Sequence, residues 1–60
     1  SSLTRRELEV LSELATGRTN KQIARSHDVS LNTVKFHVRN IFQKLGVNSR
    51  SQAIALYLKS

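Results

Sequence analysis

The chain has 60 residues, which is enough for one small domain with a limited core. It contains no cysteine, which excludes disulfides and thiolate metal sites. It also has no proline and two glycines, a composition typical of a nearly all-helical protein. Because no apolar run approaches the roughly 20 residues of a membrane span and no signal-peptide pattern opens the chain, we expect a reducing, cytoplasmic setting.

Charge is distributed unevenly along the chain. Ten Lys and Arg residues outnumber four Asp and Glu residues, which gives a net charge of +6. The last carboxylate is Asp28, and only cations follow it among the Lys, Arg, Asp and Glu residues. This asymmetry favours a polyanionic partner, nucleic acid first and anionic lipid second, with a solvated basic surface as the alternative.

Capping signals divide the chain into four predicted helices. A Ser or Thr followed three residues later by Glu or Gln is typical of a capping box. That spacing occurs at Thr4–Glu7, Thr19–Gln22 and Ser49–Gln52, and Ser30 is a simpler cap. Apolar residues at helical spacing fill the intervals. The predicted helices lie at about Arg5–Thr16, Asn20–His27, Leu31–Leu45 and Arg50–Lys59, so the predicted fold class is all-α.

Each predicted helix has an apolar face. The first buries Leu8, Leu11, Leu14 and Ala15 with Val10 at the edge, and the second buries Ile23 and Ala24. The third buries Val34, Val38, Ile41, Phe42 and Leu45. The fourth buries Ala53, Ile54, Tyr57 and Leu58, with Leu56 off the stripe.

Glu7 falls inside the apolar arc of the first helix, between Leu11 and Leu14. A carboxylate in that position needs a partner. Either it completes the Thr4 capping box, or it meets a cation from the basic half of the chain, for which Arg50 is the candidate.

The second and third helices are separated by Asp28, Val29 and Ser30. A short helix, a tight turn and a longer basic helix are typical of a helix-turn-helix, with Val29 packed inward. An ordinary helical hairpin is the alternative.

The third helix has an outward face suited to a DNA major groove. Lys35 and Arg39 can donate to guanine, Asn32 can pair with adenine, and Phe36 can touch a thymine methyl group. These four are the candidate base contacts, although Phe36 has a second interpretation, as a residue packed under a loop or in a protein interface. Thr33 and Asn40 lie on the flank of this face, where they can contact phosphates.

Further phosphate contacts are predicted at Thr19, Asn20 and Lys21, because a helix N-terminus attracts anions; simple capping is the alternative. His37 is interpreted as a packing or phosphate-contacting residue. A metal role has no support, because His27 is the one other histidine. Without a catalytic constellation, the sequence indicates a binding protein rather than an enzyme, with no cofactor.

These stretches together resemble the LuxR-type (FixJ/NarL-like) helix-turn-helix domain of bacterial transcription regulators. The likeness runs through LTRRELEVL, TNKQIA, VSLNTVKFHVRNIFQKLGV and SRSQAIA. It implies a four-helix module over residues 1–60 that binds double-stranded DNA, either the C-terminal domain of a longer regulator or a small stand-alone member. The third helix would be the recognition helix, with Lys35, Phe36 and Arg39 at positions that match base contacts.

The resemblance also implies other roles. Asn20, Lys21, Thr33 and His37 match phosphate contacts, while Glu7, Leu11 and Gly17 match positions used for structure or activity. The fourth helix would supply a homodimer surface, for which Leu56 and Tyr57 are the candidates, and RNA polymerase is a further candidate partner.

Two alternatives remain open. A sigma-factor region 4 has a similar helix-turn-helix but does not usually continue into a fourth helix of this kind. A helical module that binds proteins or anionic membranes belongs to a different functional class.

Overall fold

A computed structural model describes residues 3–59, and within that range it contains four helices and no strand. They are α1 (Arg5–Ala15), α2 (Asn20–His27), α3 (Leu31–Leu45) and α4 (Arg50–Lys59). The predicted all-α class is confirmed. One predicted boundary differs, because α1 ends at Ala15 and Thr16 is its C-cap.

The helices begin at the predicted caps. At Thr4 the box is complete: the Thr4 N–H donates to Glu7 Oε1 at 2.9 Å, and the Glu7 N–H donates to Thr4 Oγ1 at 3.1 Å. Thr19 and Gln22 repeat the pattern. The predicted third box forms only by half, since the Gln52 side chain accepts from the N–H of Asn48 rather than that of Ser49.

Three of the helices end in the same left-handed turn. Gly17, Asp28 and Gly46 have φ values of 91°, 55° and 69°. In each turn the following N–H donates to a carbonyl oxygen five residues back, as from Val29 to Ala24 and from Val47 to Phe42. The apolar residue after such a turn commonly covers the helix end. Val29 and Val47 both pack against the core in this way, and the inward position predicted for Val29 is confirmed.

The core is shared among all four helices. Each of α1 and α3 packs against the other three helices. The buried hydrophobic residues are Val10, Leu11, Leu14, Ile23, Ala24, Val34, Ile41 and Ala53. A half-buried layer packs around them and consists of Leu3, Val29, Val38, Phe42, Leu45, Val47, Ile54 and Tyr57.

Two core predictions are wrong. Leu8 is 47% exposed while Val10 is buried, because the inner face of α1 is centred on Glu7 and Leu14. A step from Glu7 to Leu8 turns about 100° around the helix, and this carries Leu8 out of the core. Leu58 is 69% exposed because the buried stripe of α4 is narrow and ends at Tyr57.

Glu7 makes both kinds of contact that the sequence offered as alternatives. Its side chain is buried, at 4% exposure for the residue, and besides capping α1 it accepts a hydrogen bond from Lys44 Nζ at 2.8 Å. The prediction of Arg50 as its cation is wrong, because Lys44, in the last turn of α3, lies closer. The hydrogen bond from Lys44, followed by that from the Thr4 backbone, holds the pKa of Glu7 below its ordinary value of 4.5.

Stability is expected to fall in acid through Glu7. Because the folded pKa is depressed, the stabilisation is present above the ordinary value of 4.5 and is lost as pH falls through the folded pKa. Melting curves from neutral pH downward should show a steeper decline below that value for the unaltered chain than for Glu7→Gln. Parallel declines would contradict this role for the pair.

Core and surface substitutions on α3 should differ in their effect on stability. Ile41 is fully buried, so Ile41→Val should lower the free energy of unfolding by about 0.5–1.5 kcal/mol. Phe36 is exposed, and Phe36→Ala should change it by less than about 0.5 kcal/mol. Urea denaturation of both variants measures the difference; equal losses would mean that Phe36 is packed.

Candidate nucleic-acid interface

The outward face of α3 brings together the four predicted base-contacting residues. Asn32, Lys35, Phe36 and Arg39 are all exposed, and they line one shallow depression. Phe36 is 61% exposed, so it lies opposite the core, as the helical pattern predicts. An aromatic ring, two cations and an amide are therefore presented side by side on a rigid helix.

A wider groove runs beside this face and reaches α2. Val38 and Phe42 form its apolar part, and Lys35 and Arg39 border it on α3. Asn20, at the start of α2, also lines the groove. The fold thus places the start of α2 next to the basic face of α3.

At the start of α2, some polar groups form the helix cap and others remain available to bind a partner. The hydroxyl oxygen of Thr19 accepts the N–H of Gln22 at 3.1 Å, so it serves as the cap. Asn20 is half-buried and Lys21 is exposed. As the first two helical residues, they have N–H groups that precede the first possible intrahelical bond, at the positive end of the helix.

The flanking residues of α3 are half-buried. Thr33 shares a hydrogen bond of 2.9 Å with the hydroxyl of Ser30, which ties it to the cap of α3. The His37 ring packs edge-on against Phe36, with ring centroids 6.0 Å apart. Asn40 lies one turn further along, between the core and the exposed face.

The glutamates of the described residues all take part in ion pairs. Glu7 pairs with Lys44, Glu9 with Arg6, and Glu13 with both Arg18 and His27. Among residues 3–59, no ion pair involves the candidate cations Lys21, Lys35 and Arg39. Their charge remains available to an anionic partner.

Sequence reasoning missed Lys44, although a signal was present. On the α3 wheel Lys44 borders the core face on the edge opposite Lys35, next to Ile41. A cation at the edge of an apolar face can reach inward to a buried carboxylate. The contact made by Arg50, with the carbonyl oxygen of Arg18, carries no sequence signal of its own.

The histidines serve local contacts. His27, the last residue of α2, contacts α1. It forms hydrogen bonds with Glu13 and with the guanidinium of Arg6, the latter at 3.0 Å. Across the described range, 3–59, no group of three or more His, Cys, Asp or Glu side chains could hold a metal ion. No helix in the same range is long and apolar enough to cross a membrane.

The two candidate dimer residues on α4 differ in their surroundings. Leu56 is 41% exposed and lies beside Gly46 and Val47 along a shallow groove. Tyr57 is half-buried and packs against the core. Leu56 and Leu58 therefore contribute most of the exposed apolar surface of α4.

Comparisons with known proteins identify a family and relatives that resemble this chain in sequence. The model of bacterial regulatory proteins of the luxR family matches residues 1–57. The chain is 54% identical over 59 residues to the nitrate/nitrite response regulator protein NarP of Escherichia coli, covering 98% of this chain and 27% of that protein. It is 53% identical over 57 residues to the probable transcriptional regulatory protein SgaR of Hyphomicrobium methylovorum, covering 95% and 27%.

A solved structure has the same fold. The crystal structure of the response regulator ChrA, from a heme-sensing two-component system, superposes with a TM-score of 0.87 at 42% identity. The match covers 92% of this chain and 27% of that one. The chain thus spans about a quarter of the length of these relatives, which are regulators by name.

Proposed function

The chain belongs to the luxR family of bacterial regulatory proteins, and from that premise we propose that it binds double-stranded DNA sequence-specifically within a bacterial transcription regulator. The observation that carries the proposal is the outward face of α3. There, Lys35 and Arg39, which form no ion pair within residues 3–59, lie beside an exposed Phe36 in one depression, on the second helix of a helix-turn-helix. We propose that residues 1–60 are the DNA-binding domain of a longer protein.

In the proposed complex α3 enters the major groove. Lys35 and Arg39 donate to guanine O6 and N7, and Asn32 pairs with adenine. Phe36 supplies an apolar contact to a thymine methyl group, which explains why an aromatic ring is left exposed opposite the core.

Phosphate contacts surround the recognition helix. On α2 they come from Thr19, Asn20 and Lys21, where free N–H groups and a lysine charge coincide. On the flank of α3 they come from Thr33, His37 and Asn40. These contacts set the orientation of α3 on the duplex, because phosphates position a protein without reading sequence.

Two domains are proposed to pair through α4 on DNA, with Leu56 at the contact and Tyr57 supporting it from the core side. Their recognition helices would enter the major groove about 34 Å apart, one turn of the duplex. RNA polymerase is a further proposed partner, and the setting is the bacterial cytoplasm. The domain acts by binding, not as an enzyme, and needs no cofactor.

Selection of bound sites from random duplex DNA tests this function. Recovery of an inverted repeat supports both sequence-specific binding and a two-fold dimer. Recovery of a single half-site leaves DNA binding in place and contradicts the dimer. Failure to bind any duplex, combined with binding to anionic vesicles, would favour the membrane-binding alternative.

Binding to DNA should weaken steeply with salt. Each phosphate neutralised by a cation contributes about −0.9 to the slope of log affinity against log salt concentration. Fluorescence anisotropy over a range of salt concentrations measures the slope. Lys21→Ala should make the slope less negative by about 0.9, the contribution of one phosphate. An affinity independent of salt would contradict the phosphate contacts.

Base contacts and phosphate contacts should respond differently to mutation. Arg39→Ala and Lys35→Ala should each cost about 1–3 kcal/mol on the selected site and relax base preference. Lys21→Ala should weaken selected and random duplexes by the same factor. Paired titrations on both duplexes distinguish the roles, and an equal loss on both for Arg39→Ala would make it a phosphate contact.

A further inference from the structure

Arg50 contacts a backbone carbonyl instead of a carboxylate. Its Nη2 donates to the carbonyl oxygen of Arg18 at 2.6 Å, across 32 positions of sequence. Arg50 is the first residue of α4, and Arg18 immediately precedes Thr19, the N-cap of α2. The bond therefore joins the start of one helix to the start of another.

The peptide group between Arg18 and Thr19 is held from both sides. Its carbonyl oxygen accepts from Arg50, while its N–H donates to Gln22 Oε1 at 2.9 Å. The preceding N–H, that of Arg18, donates to the carbonyl oxygen of Glu13 at 3.2 Å. The loop backbone is thus fixed by α1, α2 and α4 together.

This peptide group immediately precedes the first turn of α2. The first intrahelical bond of α2 runs from Ile23 to the carbonyl oxygen of Thr19. The preceding N–H groups, of Asn20 and Lys21, have no acceptor in residues 3–59. Since amides recognise an anion only when they point at it, a rotation of the Arg18–Thr19 peptide would misdirect both.

The bond also links α4 to the loop that leads into α2. No Cα atom of α4 comes within 8 Å of one of α2 in the described residues. A guanidinium suits this span, because it is permanently charged and presents several N–H donors in a fixed plane.

We propose that Arg50 is a positioning residue that holds the start of α2 ready for phosphate binding and couples α4, the proposed dimer helix, to that contact. This inference rests on the proposed function, since it assigns a structural origin to the phosphate contacts of Asn20 and Lys21. It predicts that Arg50 acts through those contacts rather than through its own charge.

Arg50→Met tests the proposal, with Arg5→Met as the matched control. Arg5 is exposed, makes no ion pair in the described part of the chain, and loses the same charge on substitution. Arg50→Met should weaken binding to selected and random duplexes alike, on the order of 5-fold, the scale of one ordinary net hydrogen bond. Arg5→Met, which removes a charge from α1 rather than from the proposed contacts on α2 and α3, should weaken it less than about 2-fold in moderate salt. Equal losses in the two variants would overturn the proposal.

A double-mutant cycle with Lys21→Ala separates positioning from direct contact. If Arg50 acts through the start of α2, Arg50→Met should cost clearly less in the Lys21→Ala background than in the unaltered chain. Additive losses would mean that Arg50 acts independently of the Lys21 contact, which overturns the proposal. Should Arg50→Met fail to fold, Arg50→Lys, which keeps the charge but not the planar reach, takes its place in the same cycle.

Amide hydrogen exchange in the free protein makes the test independent of DNA. Exchange at Arg18, Thr19 and Gln22, whose N–H groups donate hydrogen bonds around the start of α2, should be faster in Arg50→Met than in Arg5→Met, and equal rates would contradict the positioning role. If the unaltered chain binds no duplex DNA, the proposed function is wrong, while the exchange rates still decide whether Arg50 orders the start of α2.

Discussion

The contact between Glu7 and Lys44 is the constraint on which the arrangement of helices depends. It joins α1 to α3, and each of these helices packs against all of the others. A buried carboxylate is costly unless it is paired and hydrogen-bonded. Here Lys44 supplies the charge and the Thr4 backbone supplies a second hydrogen bond, so α3 is held at its C-terminal end against the start of α1. The helix that carries the proposed base contacts is therefore oriented by a polar contact within an apolar face.

The small size of the domain explains why one helix serves two purposes. Eight buried hydrophobic residues form the core, and α3 contributes Val34 and Ile41 to it. The opposite face of the same helix is free to bind a partner, since solvent covers it in the isolated domain. Placing the recognition residues on the helix that supports the core keeps them rigid, and rigidity lowers the entropy cost of binding.

The cations of the domain fall into two groups according to whether they pair with a glutamate. The glutamates are engaged by Lys44, Arg6, Arg18 and His27, all at contacts that involve α1. Lys35 and Arg39 on the outward face of α3, and Lys21 at the start of α2, form no ion pair with a carboxylate in the described residues. The cations that form ion pairs within the domain and those that remain available to a partner thus differ in their position in the fold, since both groups contain lysine and arginine. Arg50 is likewise engaged within the domain, because its guanidinium donates to the carbonyl oxygen of Arg18 in the loop before α2.

The sequence by itself determined the four helices, the helix-turn-helix and the two faces of α3, because caps, left-handed turn residues and helical periodicity are local signals. It also placed Asn32, Lys35, Phe36 and Arg39 together, since they share one side of a single helix. Only the tertiary structure decided that Val10 rather than Leu8 enters the core, and that Lys44 rather than Arg50 meets Glu7. It also decided that Asn20 borders the basic face of α3. Each of these depends on how one helix is rotated or positioned against another. A periodic pattern identifies the apolar stripe of a helix, but it does not determine which residues at the edges of that stripe are buried.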